Sequence, residues 1–216
     1  MISKNVKNAK KDINNQKGKF IAIEGIDGSG KTTLIQKLGE YFTENQLPHK
    51  ITKQPTDKET GQLIRKVLNG KVYLPEESIA LLFAADRAVH IKEDILPKLE
   101  ENVHVICDRY LYSSIAYQGT ALPIEVVFAY NQRFFIVPNL TIFIDTAPEE
   151  CERRIAATRP NRDIYERPKH AKIIRKKYLE AFELYSEIMP VSIIDGNQPT
   201  DTVFLTTLKL LQTLGL

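Results

Sequence analysis

The sequence predicts an α/β fold in which a five-stranded parallel sheet carries helices on both faces. Short apolar runs, typical of buried strands, alternate with longer segments whose apolar residues recur at helical spacing. Parallel strands need a crossover between them, and a helix usually supplies it, so this alternation favours a parallel sheet. The expected strands cover 20–24, 49–53, 103–107, 140–145 and 191–195.

The expected helices fill the segments between these strands. Thr146 has an N-cap side chain, Pro148 suits the first turn and Glu149 is acidic there, which together predict a helix start. Pro160 resists helical geometry, so a loop is expected to separate two helices around it. The expected helices cover 31–45, 60–69, 78–100, 110–135 in two pieces, 148–157, 169–187 and 200–214.

The distribution of charge argues against a nucleic-acid-binding surface. The 216 residues carry a formal net charge of +3, but residues 1–19 hold six lysines and one acidic residue, so the remainder is slightly acidic. We expect residues 1–18 to form a basic, solvated tail, with polyanion binding as the alternative. Residues 19–216 are expected to form one domain.

The sequence also points away from membranes and from the secretory route. No apolar run approaches the roughly 18 residues that a membrane helix needs, and the first residues lack the apolar block of a secretory signal. Cys107 and Cys151 are too few for a disulfide framework. We therefore expect a cytosolic protein with no membrane partner.

The segment from Phe20 to Thr33 combines a strand, a glycine-rich turn and a helix start. From Gly25 it satisfies G-x-x-x-x-G-K-[ST], which predicts a phosphate loop and a P-loop NTPase fold. Glycines let backbone N–H groups curl around phosphate oxygens, and the positive end of the helix adds to the attraction. Lys31 would reach the outer phosphates and Thr32 would ligate Mg²⁺. The predicted nucleotide-binding residues are Gly25, Ile26, Asp27, Gly28, Ser29, Gly30, Lys31, Thr32 and Thr33.

A second chemical signal follows the third strand. Residues 105–108 form a hydrophobic strand ending in a carboxylate, the Walker-B pattern, so Asp108 would orient Mg²⁺ or its water. Arg109 comes next, at the expected start of a helix, where a cation is unfavourable on dipole grounds. Its position is better explained if it faces bound phosphates. Ser113 and Tyr117 share its helical stripe.

Three other segments carry candidate binding residues, and each of them has two interpretations. Phe83 and Arg87 share a helical face, and an aromatic ring beside a guanidinium group suits a flat base with a carbonyl edge. Taken one at a time, a phenylalanine at this spacing is more often a core residue and an arginine more often a solvated charge. Lys53, after the second strand, either points to a substrate phosphate or is a surface lysine. The turn 195–199 either holds a purine or is only a turn.

The region between Arg153 and Lys177 is strongly basic, with ten Lys/Arg and two acidic residues. Arg159 and Arg162 fall on the loop that Pro160 forces. We predict an Arg-bearing lid over about 158–168, which would close, exclude water and spread charge off a moving phosphoryl group. The alternative is a solvated charge run.

Together these residues resemble the thymidylate kinase family, P-loop kinases that act on dTMP. The resemblance covers about 19–214. Its most specific segment is 108–119, which is similar to the family signature D-R-[YF]-x-x-S-x-x-A-[YF]-Q-G. Segments 24–32, 82–87 and 195–199 are similar to the family's phosphate loop, its base-binding helix and its D-A-x-Q-P turn.

The resemblance implies a role for each candidate. Phe83 would stack on thymine and Arg87 would contact a base carbonyl. Arg109 would bridge the acceptor phosphate and the transferred phosphoryl group, and Asp27 would engage the sugar 3′-hydroxyl or the phosphate–water network. The implied substrate-binding residues are Lys53, Phe83, Arg87, Arg109, Ser113, Tyr117 and Gln118. The implied catalytic residues are Lys31, Arg109, Asp27, Arg159 and Arg162, and the implied metal ligands are Thr32 and Asp108.

Two segments depart from the family pattern. Residues 53–55 read Lys-Gln-Pro instead of Arg-Glu-Pro or Arg-Phe-Pro, which keeps the charge but loses the bidentate fork of arginine. Residues 163–166 lack an arginine that the family's lid often carries, so Arg159, Arg162 or Arg167 would have to substitute for it.

The expected reaction is transfer of the γ-phosphoryl group from ATP·Mg²⁺ to dTMP, giving ADP and dTDP, by a homodimer as the family implies. The first alternative is a deoxynucleoside kinase, which would need a carboxylate base at the sugar 5′-hydroxyl, and Glu24 is the candidate. The second is a non-catalytic nucleotide-sensing module, against which the intact Lys31, Asp108 and Arg109 argue.

Overall fold

The sheet is five-stranded and parallel, as the sequence predicts. The computed structural model describes residues 17–158 and 168–216. The strands are β1 (Phe20–Glu24), β2 (His49–Lys53), β3 (His104–Asp108), β4 (Leu140–Asp145) and β5 (Ser192–Asp195). They pair in the order β2-β3-β1-β4-β5, so β1 lies at the centre of the sheet.

Helices connect the strands and cover both faces, which confirms the α/β prediction. The helices are α1 (Lys31–Glu44), α2 (Glu59–Leu68), α3 (Glu76–His90), α4 (Leu96–Glu100), α5 (Leu111–Gln118), α6 (Ile124–Asn131), α7 (Pro148–Thr158), α8 (Pro168–Tyr185) and α9 (Thr200–Gln212). The helix predicted over 78–100 is interrupted by a π-helical segment, Ile91–Ile95, which joins α3 to α4. Pro97 follows this segment and lacks an N–H donor, so regular helical bonding cannot run through it.

The hydrophobic core has two layers, one on each face of the sheet. Alternate residues of β1 face opposite sides. Phe20 and Ala22 belong to the layer that contains residues of α5 and α8, and Ile21 and Ile23 belong to the layer that contains residues of α1 and α9. All four are fully buried, which explains the continuous apolar run of β1. Phe20→Ala would cost about 3–5 kcal/mol of stability.

The carboxyl ends of the strands lie along one edge of the sheet. Register places Lys53 beside Asp108, and Asp145 beside Asp195. Because all strands run in the same direction, the loops that follow them meet at this edge, where ligands bind in open α/β sheets. The fold therefore brings the phosphate loop and the residues after β2, β3 and β5 to one place.

Some predicted segments fall outside the part of the chain that the structure describes. Residues 1–16 of the predicted tail and 159–167 of the predicted lid belong to this group. Within the described ranges, no helix is both long and apolar enough to cross a bilayer.

Candidate active site

Lys31 contacts the phosphate loop from the start of α1. It is buried, and its Nζ donates to the carbonyl oxygens of Gly25 (3.0 Å) and Ile26 (2.9 Å). Burial and the charge of Arg109 lower the pKa of Lys31 to about 8. The first turn of α1 has no acidic side chain and no side-chain cap, so its N–H groups and dipole suit an anion.

Close packing of α7 explains why position 28 of the loop is glycine. Gly28 has a φ of +79°, and a Cβ atom there would lie 2.5 Å from the carbonyl oxygen of Cys151 and 3.0 Å from Cγ1 of Ile155. A side chain at position 28 would therefore collide with the backbone of α7. Position 28 therefore has no room for a cationic side chain, and any further cation at the phosphate site has to come from another position.

Thr32 and Asp108, the predicted metal ligands, line the same two cavities at the strand ends. The Oδ1 atom of Asp108 is buried and has no hydrogen-bond partner among the described residues. In kinases Mg²⁺ takes few protein oxygens and completes its shell with phosphates and water. The described ranges hold no group of three or more His, Cys, Asp and Glu side chains that could bind a metal. The residues present thus fit a Mg²⁺ ion that shares its ligands with a nucleotide.

Arg109 lies in a left-handed turn and not at the start of a helix, which corrects the prediction. Its φ is +69°, and α5 begins two residues later, at Leu111. Its backbone N–H continues the sheet by donating to the carbonyl oxygen of Ile23 (2.9 Å). A non-glycine residue in such a conformation costs on the order of 1–3 kcal/mol and is typical of functional sites.

Arg109, Asp27 and Tyr117 form a charged cluster. Arg109 donates from Nη1 to the carbonyl oxygen of Gly25 (2.8 Å) and from Nη2 to Oδ1 of Asp27 (2.5 Å), and the Tyr117 hydroxyl donates to Oδ2 of Asp27 (2.8 Å). The guanidinium group lies 4.9 Å from the centre of the Tyr117 ring. Burial alone would raise the pKa of Asp27, but the charges of Arg109 and Lys31 outweigh it and lower that pKa.

A cavity of about 140 Å³, here called the Phe83 cavity, lies beside this cluster. The structure brings six of the predicted substrate-binding residues together along its walls. These are Phe83, Arg87, Arg109, Ser113, Tyr117 and Gln118. Sequence reasoning gave no role in this cavity to Gln54 and Ser114, which also line it.

Three buried side chains that line the Phe83 cavity keep polar atoms without partners in the described part of the chain. These atoms are the amide nitrogen and oxygen of Gln118, the Nε of Arg87 and the amide oxygen of Gln54. The terminal nitrogens of Arg87 donate to Ser114 Oγ (2.8 Å), to the Tyr110 carbonyl oxygen (3.1 Å) and to Asn131 Oδ1. Unpaired buried groups cost about 1–3 kcal/mol each. They point to a ligand that offers a donor and acceptors.

Sequence reasoning missed Arg154, which lines a further cavity between the start of α1, α7 and the turn after β5. Its guanidinium group donates to the carbonyl oxygens of Ser29 (3.3 Å) and Gly196 (3.1 Å), and its Nε donates to Glu150 (2.7 Å). The available signal was the spacing of four residues from Glu150. That spacing predicts an ion pair but not its place beside the phosphate loop.

Lys53 does not line the Phe83 cavity. It is exposed, forms an ion pair with Asp57 (3.3 Å) and lines the neighbouring cavity that Thr32 also lines. Its contact with a substrate phosphate stays a prediction. Arg159 and Arg162 lie outside the described residues, so their catalytic roles also stay predictions.

Glu24, the candidate base of the deoxynucleoside kinase alternative, has its carboxylate fully engaged. It is 0% exposed. One carboxylate oxygen accepts from the N–H groups of Tyr110 (2.9 Å) and Ser113 (3.2 Å), and the other accepts from the hydroxyls of Ser113 (2.5 Å) and Tyr178 (3.1 Å). Glu24 therefore caps the start of α5, a role that depends on the contact between β1 and α5.

Arg109 and Asp27 line both the Phe83 cavity and the cavity over the phosphate loop. A group held at the loop would therefore lie within reach of a group held beside Phe83. Two adjoining sites that share an arginine, one of them a phosphate loop, are the arrangement of a P-loop kinase. A family model described as "Thymidylate kinase" matches residues 23–204. The chain belongs to the thymidylate kinase family.

Individual relatives agree with the family model. The chain is 42% identical to a "Probable thymidylate kinase" of Pyrococcus abyssi over 82% of this chain and 88% of that relative. It is 37% identical to a "Thymidylate kinase" of Carboxydothermus hydrogenoformans over 87% of this chain and 94% of that relative. It is 46% identical to a "Probable thymidylate kinase" of Methanococcus aeolicus over 74% of this chain and 78% of that relative.

Proposed function

We propose that the protein transfers the γ-phosphoryl group of ATP to dTMP, giving ADP and dTDP, with Mg²⁺ as the metal. Family membership supports the reaction class. The observation that carries the choice of acceptor is the pair of buried side chains, Gln118 and Arg87, which line a cavity together with Phe83 and have polar atoms without partners in the described ranges.

The donor nucleotide would occupy the phosphate loop. Residues 25–33 would surround its phosphates with backbone N–H groups, and Lys31 would exchange its two carbonyl contacts for phosphate oxygens. The adenosine would extend into the cavity that Arg154 lines, next to the turn after β5. Thr32 and Asp108 would hold Mg²⁺. When bound, this ion neutralises charge on the phosphates.

Thymine matches the unpartnered atoms of the Phe83 cavity. Its N3–H is a donor and its two carbonyl oxygens are acceptors. The amide of Gln118 offers one acceptor and one donor, and the Nε of Arg87 offers another donor. Phe83 provides an aromatic face against which the base would stack.

Arg109 is the group best placed to join the two substrates. It lines both cavities, and its guanidinium group has five N–H donors, some of which already fix it to Gly25 and Asp27. The acceptor phosphate, with a second pKa of about 6, is ionised at neutral pH, so no general base is required. Catalysis would then consist of alignment and of charge stabilisation by Lys31 and Arg109. Arg159 and Arg162 are proposed to add to it.

The deoxynucleoside kinase alternative lacks its base. A neutral 5′-hydroxyl would need a carboxylate to accept its proton, but both oxygens of Glu24 already accept hydrogen bonds from buried donors. A sensing module would not need Arg109 in a strained conformation between two cavities.

The direct test measures acceptor-dependent ADP release with ATP·Mg²⁺ and a panel of acceptors. We expect dTMP to support turnover at least about tenfold better than dUMP, dCMP or dGMP, and thymidine to support none. Lys31→Ala should remove nearly all turnover, with Lys37→Ala, a half-buried lysine on α1 that pairs with Asp201, as the matched control. Turnover with thymidine at the rate of dTMP would contradict the proposal.

Assembly and location are two further proposals. We propose a homodimer because the family resemblance implies one, and light scattering after gel filtration would test it. We propose a cytosolic location because both cysteines, Cys107 and Cys151, are free and buried, which fits a reducing compartment.

A further inference from the structure

Gln54 is a buried amide in the wall of the Phe83 cavity. It is 6% exposed and lies on the loop between β2 and α2. Its amide nitrogen pairs with Nδ1 of His90 at 3.0 Å, whereas its amide oxygen has no hydrogen-bond partner in the described ranges. The side-chain amide of Gln54 is therefore held by a hydrogen bond at its nitrogen only.

His90 holds the nitrogen end of the Gln54 amide. Its other ring nitrogen pairs with the hydroxyl of Thr52 at 2.8 Å. Burial lowers the pKa of His90 to about 4, so the ring is neutral and carries one N–H. Because an amide nitrogen can only donate, Nδ1 accepts and Nε2–H donates to Thr52. The amide oxygen of Gln54 is thus the end of the amide without a hydrogen-bond partner in the described ranges.

The residues that line the cavity include both polar and apolar side chains. Arg87 on α3 and Gln118 on α5 suit the carbonyl and N3–H edge of a pyrimidine, as the proposed function has it. Gln54 lines the cavity together with Pro55, its neighbour in the sequence, and Leu68, whose apolar surfaces would suit the C5–C6 edge. Thymine has only a methyl group on that edge and so offers Gln54 no donor.

We propose that Gln54 is a specificity-determining residue that reads the C5 substituent of the pyrimidine, so that the enzyme also phosphorylates monophosphates with a hydroxyl on the C5 methyl group. This inference rests on the proposed function. The probe is 5-hydroxymethyl-dUMP, which differs from dTMP by that one hydroxyl. The hydroxyl would donate to the amide oxygen of Gln54 and satisfy an acceptor that dTMP leaves unpaired.

The experiment compares kcat/KM for 5-hydroxymethyl-dUMP and dTMP in the wild type and in Gln54→Met. Methionine keeps the length of the side chain but cannot accept this hydrogen bond well. We expect the ratio of the two kcat/KM values, 5-hydroxymethyl-dUMP over dTMP, to fall about tenfold in Gln54→Met, the effect of one hydrogen bond. Gln212→Met, at the exposed end of α9, is the matched control and should leave the ratio unchanged.

Each result decides for or against the inference. An unchanged ratio in Gln54→Met overturns the inference about Gln54. The proposed function then still stands if the wild type phosphorylates dTMP. A folded wild-type protein that does not phosphorylate dTMP overturns both. Should Gln54→Met not fold, competition between the two substrates in the wild type decides. Discrimination against 5-hydroxymethyl-dUMP within about tenfold supports the inference, and any larger discrimination overturns it.

Discussion

Gln118→Met is expected to raise the stability of the free protein. The buried amide of Gln118 has no partner in the described part of the chain, so the native state carries a desolvation cost of about 1–3 kcal/mol. Methionine has a similar length and avoids most of that cost. We expect the free energy of unfolding, measured in urea without nucleotides, to rise by about 1 kcal/mol.

The same substitution is expected to lower activity. It removes two proposed hydrogen bonds to thymine, and at about 1.4 kcal/mol each their loss corresponds to a decrease of about a hundredfold in kcat/KM for dTMP. Because these bonds exist before and during transfer, most of the change should appear in KM. The assay is coupled ADP release with dTMP varied at saturating ATP·Mg²⁺.

Asn131 provides the matched control for this prediction. It is also a buried amide, but its oxygen accepts from Arg87 and its nitrogen donates to the carbonyl oxygen of Val127 (2.8 Å). Asn131→Leu should lower the free energy of unfolding by about 3 kcal/mol, because it leaves the charge of Arg87 poorly paired. If Gln118→Met destabilises as strongly as Asn131→Leu, or leaves kcat/KM for dTMP unchanged, the reasoning is refuted.

Three further substitutions or conditions test other parts of the site. The pKa of Lys31 is about 8, and phosphates favour its protonated form. ADP affinity measured by calorimetry should therefore fall as the pH rises from about 7 through about 8 and above. A flat profile over this range would contradict this. Gly28→Ala should lower Tm more than Gly70→Ala does. Both glycines have positive φ, but only at position 28 would an added Cβ atom contact other atoms. Equal decreases in Tm would rule out the close packing of α7 against position 28. Arg109→Lys should lower kcat for dTMP by about a hundredfold, because lysine lacks the guanidinium fork, and should leave ADP affinity nearly unchanged. An unaltered kcat would remove Arg109 from the mechanism.

The parts of the fold that depend on local patterns could be predicted from the sequence. β1 is buried on both faces, so its residues form an uninterrupted apolar run, and the phosphate loop has a fixed spacing. Phe83 and Arg87 could be paired because helical spacing of four places them on one face. These features need only near neighbours in the sequence.

The rest of the site depends on contacts between distant segments. Glu24 contacts Ser113 across 89 residues, and Gln54 contacts His90 across 36 residues. The left-handed turn at Arg109 reverses a local preference, because tertiary contacts hold the guanidinium group against the phosphate loop. Sequence spacing carries no information on such contacts, so the helix-start interpretation of Arg109 was wrong.

The central claim, that a phosphoryl group passes from the nucleotide on the loop to dTMP beside Phe83, can be tested most directly by phosphorus NMR of the protein mixed with ATP, Mg²⁺ and dTMP. The account predicts that the γ-phosphate signal of ATP and the signal of dTMP disappear together while the two signals of dTDP appear in equal amount. Release of inorganic phosphate with dTMP unchanged would contradict it.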